Sequence, residues 1–355
     1  MPDESGAGPR SGGVSRRWTL PGALALLALS CAIAFLLGEV TVRLIQPGFP
    51  GYQMPQIVHR PSPALGFEMI PDQRGFTFAA PVVINSIGLR GPEIGLDKTP
   101  EELRVLCLGD SLTFGVGVGE EIPYPRQLEA LLSERAGSLY PGVINAGVQR
   151  YSTYQEIDWL RERGVDLEPD VVTLGFYPND LVVRPSSRSG MQYENERERA
   201  FRSLRVRFPW LYLRLKNSAL IERVKLGLDE IRHRSRADAI EARSPLLQDA
   251  AWTSVADDLE TLLAISRLRG FEALVVAIPA RSQFTQADPG GPAPRRLLEA
   301  ADRIGLPHVD LLDPFQASLD RGVDPYLPWD DHLSAAGHRI VAERIVAALD
   351  LEAVR

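Results

Sequence analysis

The chain has little cysteine: two residues in 355, Cys31 and Cys107. That excludes a disulfide-stapled scaffold and a cysteine-rich zinc module. A basic excess is missing too. Thirty-nine Lys and Arg stand against 46 Asp and Glu, a net charge of −7. This is the wrong sign for a dedicated nucleic-acid binder, which usually carries a basic excess. No segment recurs at a fixed spacing of roughly 20–50 residues, which argues against a solenoid. The 30 Gly and 28 Pro follow no three-residue period, so the chain is not collagenous. What is present is a 45% hydrophobic composition, enough for a sizeable core and against global disorder. At roughly 100–200 residues per domain, one large or two small domains fit.

Charge is also missing from Leu20 to Gly38, a run of 19 residues. A helix needs roughly 20 apolar residues to cross hydrocarbon. Residues 1–19 are polar and Gly/Ser-rich, with Arg10, Arg16 and Arg17, and Glu39 and Arg43 end the run. Three arginines before the run place the N-terminus in the cytoplasm and the remainder outside, periplasmic or extracellular. A cleaved signal peptide is the competing reading, with Ala32-Ile33-Ala34 as a small-residue site. However, Phe35-Leu36-Leu37 continue the run past it, and the length favours an uncleaved anchor. Cys31 after Ala28-Leu29-Ser30 resembles a lipoprotein site but sits inside the apolar run.

Six prolines between residues 46 and 75 (Pro47, Pro50, Pro55, Pro61, Pro63, Pro71) read as an extended stalk. From Arg104 strands and helices alternate. Strands are expected at Arg104–Leu108, Val143–Ala146, Val171–Phe176, Ala273–Ile278 and His308–Leu311. Helices are expected at Pro125–Arg135, Tyr154–Arg163, Trp252–Arg269, Pro294–Ile304 and Ser334–Leu349, the last capped by Ser334. Short continuous apolar strands between helices predict a parallel sheet covered on both faces. Residues 184–236 interrupt the rhythm with 14 basic and six acidic side chains, +8 against −15 for the rest. A cap over the site, a surface touching anionic lipid, or a solvated helical insertion packed on the core would each account for this stretch; the last is favoured over membrane contact.

The chemistry lies at strand ends, where ligands of parallel α/β sheets bind. Gly109-Asp110-Ser111-Leu112 follows the first strand directly, and alone is also common turn chemistry. A serine nucleophile needs a base, and the base an orienting group. Of five histidines, only His332 has carboxylates nearby in a turn-like setting before a helix, Trp329-Asp330-Asp331-His332. Asp330, two residues away, can fold back on the imidazole, and adjacent Asp331 could substitute. His338 lies inside the final helix and reads as structural; His59 lies in the stalk. Acyl transfer also needs donors for a developing oxyanion. The Gly147 N–H of Asn145-Ala146-Gly147 and the Asn179 amide of Asn179-Asp180, each at a strand end, offer them.

Those four blocks, in that order over residues 104–345, resemble the SGNH (GDSL) hydrolase superfamily. The resemblance implies a flavodoxin-like three-layer α/β/α fold with a central parallel sheet of about five strands. It implies Ser111 as nucleophile, His332 as base, Asp330 as orienting acid, and an oxyanion hole of the Ser111 N–H, the Gly147 N–H and Asn179. Asn85-Ser86-Ile87-Gly88-Leu89-Arg90-Gly91 is similar to a segment upstream of the serine in membrane-anchored bacterial members. Two positions depart from the pattern. Tyr177 stands where the family has glycine before the asparagine, and Trp329 stands where it has the acid three before the histidine. The organisation implied is a cytoplasmic tail (1–19), a transmembrane signal anchor (20–45), a Pro-rich stalk and lead-in (46–100) and a hydrolase domain (101–355) with a basic helical insertion at about 184–250. The expected activity is hydrolysis of carbohydrate or lipid acyl esters through an acyl-enzyme on Ser111, without metal or organic cofactor and without nucleic acid. An O-acyltransferase of envelope glycans using the same residues, and a non-catalytic envelope-binding protein, are the alternatives.

Overall fold

The computed structural model describes residues 20–45, 49–135, 139–185, 207–225, 227–228, 245–284 and 292–350. The expected cytoplasmic tail and most of the basic 184–236 stretch lie outside them.

The uncharged run forms α1 (Leu20–Ile45), with no buried residue. Among the described residues it is the one helix long and apolar enough to cross a membrane. Two hairpins follow: β1 (His59–Ser62) with β2 (Gly66–Met69), and β3 (Arg74–Thr77) with β4 (Ala80–Val83), both antiparallel. The expectation of an extended stalk over 46–75 is therefore corrected. Leu65, Phe67, Met69, Phe78 and Val82 are buried in the main core, so burial of these apolar groups outweighs the extended preference of the intervening prolines.

The remainder winds as β5 (Glu102–Gly109), α2 (Ser111–Phe114), α3 (Tyr124–Ser133), β6 (Tyr140–Gly147), α4 (Thr153–Glu162) and β7 (Val171–Phe176). It continues through α5 (Pro209–Lys216), α6 (Pro245–Arg269), β8 (Glu272–Ala277), α7 (Pro292–Ile304), β9 (His308–Asp310), α8 (Leu312–Asp320) and α9 (Ala335–Ala348). The five strands form one parallel sheet in the order β6-β5-β7-β8-β9. Side chains alternate across it. Val105, Cys107, Leu274 and Val276 face α3 and α9, whereas Leu106, Leu108, Val172, Leu174 and Val275 face α4, α6, α7 and the hairpins. This is the expected three-layer α/β/α arrangement with its five-stranded sheet. Helix α8, which the sequence reading did not include, buries Phe315 on the same side of the sheet as α3 and α9.

The order places β5 between β6 and β7, so the chain leaves β5 to one side and returns on the other. Loops diverge at such a reversal and leave a crevice at the carboxyl ends of the strands. Register aligns Gly109, Gly147 and Gly175 in one row there. Gly109 has φ +154°, and a Cβ on it would fall 2.0 Å from the Thr113 hydroxyl; glycine is what lets α2 start directly on the sheet. The Asn85–Gly91 segment has a structural task. The Asn85 side-chain Oδ1 accepts from the Leu89 N–H at 2.9 Å. The buried Arg90 guanidinium donates to the carbonyls of Phe114 (2.9 Å), Gly115 and Val118 (2.8 Å), holding the loop behind α2. An isolated antiparallel bridge joins Arg90 to Asn145 on β6.

Candidate active site

Ser111 is the first residue of α2. Asp110 caps that turn, its Oδ1 accepting from the Leu112 N–H at 2.8 Å. The loop before α9 carries His332. It is held by the Leu327 N–H donating to the His332 carbonyl at 2.8 Å and by a bridge between Tyr326 and Leu333. Ser334 caps α9 as its side chain accepts from the Gly337 N–H. These two turns, 221 residues apart, put His332 Nε2 2.9 Å from Ser111 Oγ. On the far side of the ring, His332 Nδ1 lies 2.5 Å from Asp330 Oδ1, which also accepts from the His332 backbone N–H at 3.1 Å. Of the two candidate acids it is Asp330 that meets the imidazole. Asp331 turns outward, two-thirds exposed, and pairs with Arg281 at 3.3 Å.

The charges reinforce this order. Burial opposes a charged imidazole, but Asp330, aided by Asp110 and Asp331, outweighs it and raises the His332 pKa above its ordinary 6.5. Burial likewise opposes the Asp330 carboxylate, yet His332 and the hydrogen bonds from it lower the Asp330 pKa below the usual value. His338 plays no part in the row. It is wholly buried and accepts from the Tyr124 N–H at 3.1 Å. Burial, then Arg90 and His332, push its pKa down to about 3.

Asn179 lies in a short turn after β7, Pro178–Asp180. Its amide nitrogen donates to Asp110 Oδ2 at 3.0 Å, which engages one of its two hydrogens and orients the group. Asp180 holds the turn by accepting from the Tyr177 N–H at 2.8 Å. Behind it, Glu156 is buried with neither carboxylate oxygen hydrogen-bonded. Burial, then repulsion from Asp110 and the neighbouring acids, pushes both Asp180 and Glu156 well above the usual carboxylate range.

Gly147, the other donor expected, is the last residue of β6. Its N–H is already donated to Asn145 Oδ1 at 3.0 Å. A Cβ on it would lie 2.3 Å from the Phe114 nitrogen, so its task here is to let β6 and α2 approach.

A cavity of about 280 Å³ opens over Ser111 and His332. Its other walls include residues the sequence reading did not single out: Tyr52, Gln56, Thr77 and Phe78 from the expected stalk and lead-in, and Gln149 and Arg150 after β6. Tyr52 and Phe78 face each other at 5.0 Å. Phe78 and Arg150 both hold left-handed backbones, φ 52° and 72°, the kind of local strain that gathers at active sites. Nothing in hydropathy marks these six positions, because they meet only in the folded chain.

The arrangement can carry out nucleophilic acyl transfer: a hydroxyl, a base within hydrogen-bond reach, a carboxylate behind the base and an amide donor nearby. Comparison with known proteins gives an independent line. A model of the GDSL-like Lipase/Acylhydrolase family matches residues 107–340. Among solved structures, an acetylxylan esterase from Geobacillus stearothermophilus is 16% identical with a TM-score of 0.42, over 71% of this chain and 96% of that one. A lipase/acylhydrolase from Enterococcus faecalis is 14% identical with a TM-score of 0.41, over 69% and 93%. Comparison with curated proteins found no match.

Proposed function

Since this chain belongs to the GDSL-like lipase/acylhydrolase family of ester-hydrolysing enzymes, we propose that it is a membrane-anchored serine esterase whose catalytic domain, from about residue 49 onward and including the two hairpins, lies on the extracytoplasmic side. Ser111 Oγ attacks the ester carbonyl carbon while His332 Nε2 takes its proton. Asp330 orients the ring and stabilises the imidazolium. The tetrahedral oxyanion is held by the Ser111 N–H and the free hydrogen of the Asn179 amide. Collapse expels the alcohol with the proton from His332 and leaves an acyl group on Ser111. Water, deprotonated by His332, then releases the acid and restores the serine.

The observation that carries this reading is the continuous row Ser111 Oγ, His332 Nε2, His332 Nδ1, Asp330 Oδ1, with separations of 2.9 and 2.5 Å. The cavity volume favours a short acyl group. It falls just below the roughly 300–1,000 Å³ of drug-sized pockets. The anchor rests on the length of α1 and its lack of buried residues, and its orientation on the arginines before it.

The test is hydrolysis of short chromogenic acyl esters by the purified full chain in detergent. Ser111→Ala and His332→Ala should each lower kcat/KM by at least about 10³-fold. Equal rates in all three proteins would sink the mechanism.

A further inference from the structure

Helix α1 does not simply lead into the catalytic domain; its outer end is bonded to it. Glu39 accepts hydrogen bonds from the Ala219 N–H (3.0 Å), the Leu220 N–H (3.0 Å) and the Ser218 hydroxyl (2.7 Å). It thereby caps the helical stretch 219–225. Arg43 donates to the Asn217 carbonyl at 2.7 Å. Gly38 meets Leu220 so closely that a Cβ there would fall 2.9 Å from it. At 1.5 Å per residue, Glu39 lies about 28 Å along the helix from Leu20, one hydrocarbon thickness away. The contact with 217–220 is therefore at the depth where hydrocarbon gives way to headgroups.

The same segment touches the cavity wall. The Tyr52 N–H donates to Asn217 Oδ1 at 2.5 Å, the Lys216 ammonium lies 4.9 Å from the Tyr52 ring centre, and the Tyr52 hydroxyl reaches Glu222. Between Ile45 and Tyr52 the chain can span at most about 25 Å. The catalytic cavity is thus fixed to the outer end of α1 by bonds and by a short tether.

Helix α5, just before this junction, has an unusual surface. Phe208 and Trp210 are exposed, Trp210 by 64%. Around them, residues 207–225 carry Arg207, Arg214 and Arg223, besides Lys216 over the Tyr52 ring and Lys225 paired with the single acid Glu222 at 2.7 Å. Exposed tryptophan beside arginine and lysine is the composition of a helix lying in the headgroup layer, with the cations matched to anionic lipid.

We propose that α5 rests in the outer headgroup layer of the bilayer that α1 crosses, and that the esterase acts there on short-chain acyl esters of membrane-resident amphiphiles. The inference rests on the esterase and anchor readings above. The acyl group enters the cavity past Tyr52 while the alcohol part stays in the leaflet. A rigid anchor holds the cavity at that surface, which would be of no use for an ester free in bulk solution.

The test uses the full chain reconstituted in vesicles of phosphatidylcholine with 30% phosphatidylglycerol (about a third anionic lipid), some of them with brominated acyl chains. Brominated lipid should quench a component of tryptophan emission that disappears in Trp210→Phe. In the same vesicles, Trp210→Ala/Arg214→Glu should lose about tenfold or more in acetate release from embedded hexadecyl acetate. Its hydrolysis of soluble 4-nitrophenyl acetate should stay unchanged, which also reports that the variant is folded. If the chain resists alkaline carbonate extraction but neither readout moves, the docking proposal is wrong and the anchor stands. If carbonate strips the chain off, the anchor reading fails and docking falls with it. Loss of both ester activities together would show that α5 serves only the fold. If wild type and Ser111→Ala are equally inactive on both esters, the esterase reading fails, and the quenching arm still decides whether α5 meets lipid.

Discussion

Replacing Asp330 by Asn separates the roles of the two neighbouring acids. The amide keeps an oxygen at the position of Oδ1, so the bond from the His332 N–H at 3.1 Å and the loop itself survive. What is lost is the negative charge beside Nδ1. With Nδ1 and Oδ1 2.5 Å apart, the charge centres of imidazolium and carboxylate are about 4 Å apart, worth about 4 kcal/mol at an effective dielectric of about 20. Both side chains are under a quarter exposed, so solvent screens this little. At about 1.4 kcal/mol per decade, kcat/KM should fall about 10³-fold. Asp331→Asn should change it less than about fivefold, since that carboxylate is exposed and paired with Arg281. The pH profile adds a second readout. His332 must be neutral to accept the serine proton, and its raised pKa places the acidic limb of kcat/KM above 6.5. Activity therefore rises with pH through that value in the wild type. Without the Asp330 charge the limb moves to lower pH. Steady-state kinetics on a short chromogenic ester between pH 5 and 9 would measure both effects. A loss in Asp331→Asn equal to that in Asp330→Asn, or an acidic limb unmoved by Asp330→Asn, would refute the reasoning.

Asn179→Ala should lower kcat about 10²–10³-fold with little change in KM, because the amide acts on the oxyanion of the transition state; single-turnover kinetics would show the loss in the acylation step. Glu156→Gln should stabilise the fold increasingly as pH rises. The unfolded carboxyl ionises from about pH 4.5 upward while the buried one resists, costing the wild type up to about 1.4 kcal/mol per pH unit until its raised pKa is passed; Tm measured from pH 5 to 8 should show the gap widening. Phe67→Ala should destabilise by about 3–5 kcal/mol in urea unfolding, since Phe67 is buried with its ring 5.2 Å from that of Tyr151; a ring on a free stalk would cost nothing measurable.

The sheet could be read from the chain because its strands are buried on both faces. Val171–Phe176 has six buried positions in a row, and such a run needs no partner to be recognised. The two hairpins escaped because their strands are only four residues long and interspersed with proline, too short to show a period of two. Helix α8 escaped because Phe315 and Ser318 are its only buried residues. At the site, Ser111, Asn179 and His332 were legible from local turns after strands and before a helix. The position of Gly147 at a strand end was legible too, but not the hydrogen bond from its N–H to Asn145 Oδ1, two residues back. Tyr52, Gln149 and Arg150 were invisible for a different reason. Each reaches the cavity only because the fold brings it to Ser111, which is 59, 38 and 39 positions away along the chain.

The edges of the sheet bear on how copies of this chain behave when crowded. An open strand edge is a template on which another chain can add a strand. Here one edge, β9, is three residues long, too short to template much. The other, β6, has eight residues, but Pro141 removes one donor from its row and Arg90 bridges Asn145 near its end. Growth of the sheet from molecule to molecule is thus blocked at both margins, and the arginine that braces the loop behind the nucleophile is also a guard against aggregation.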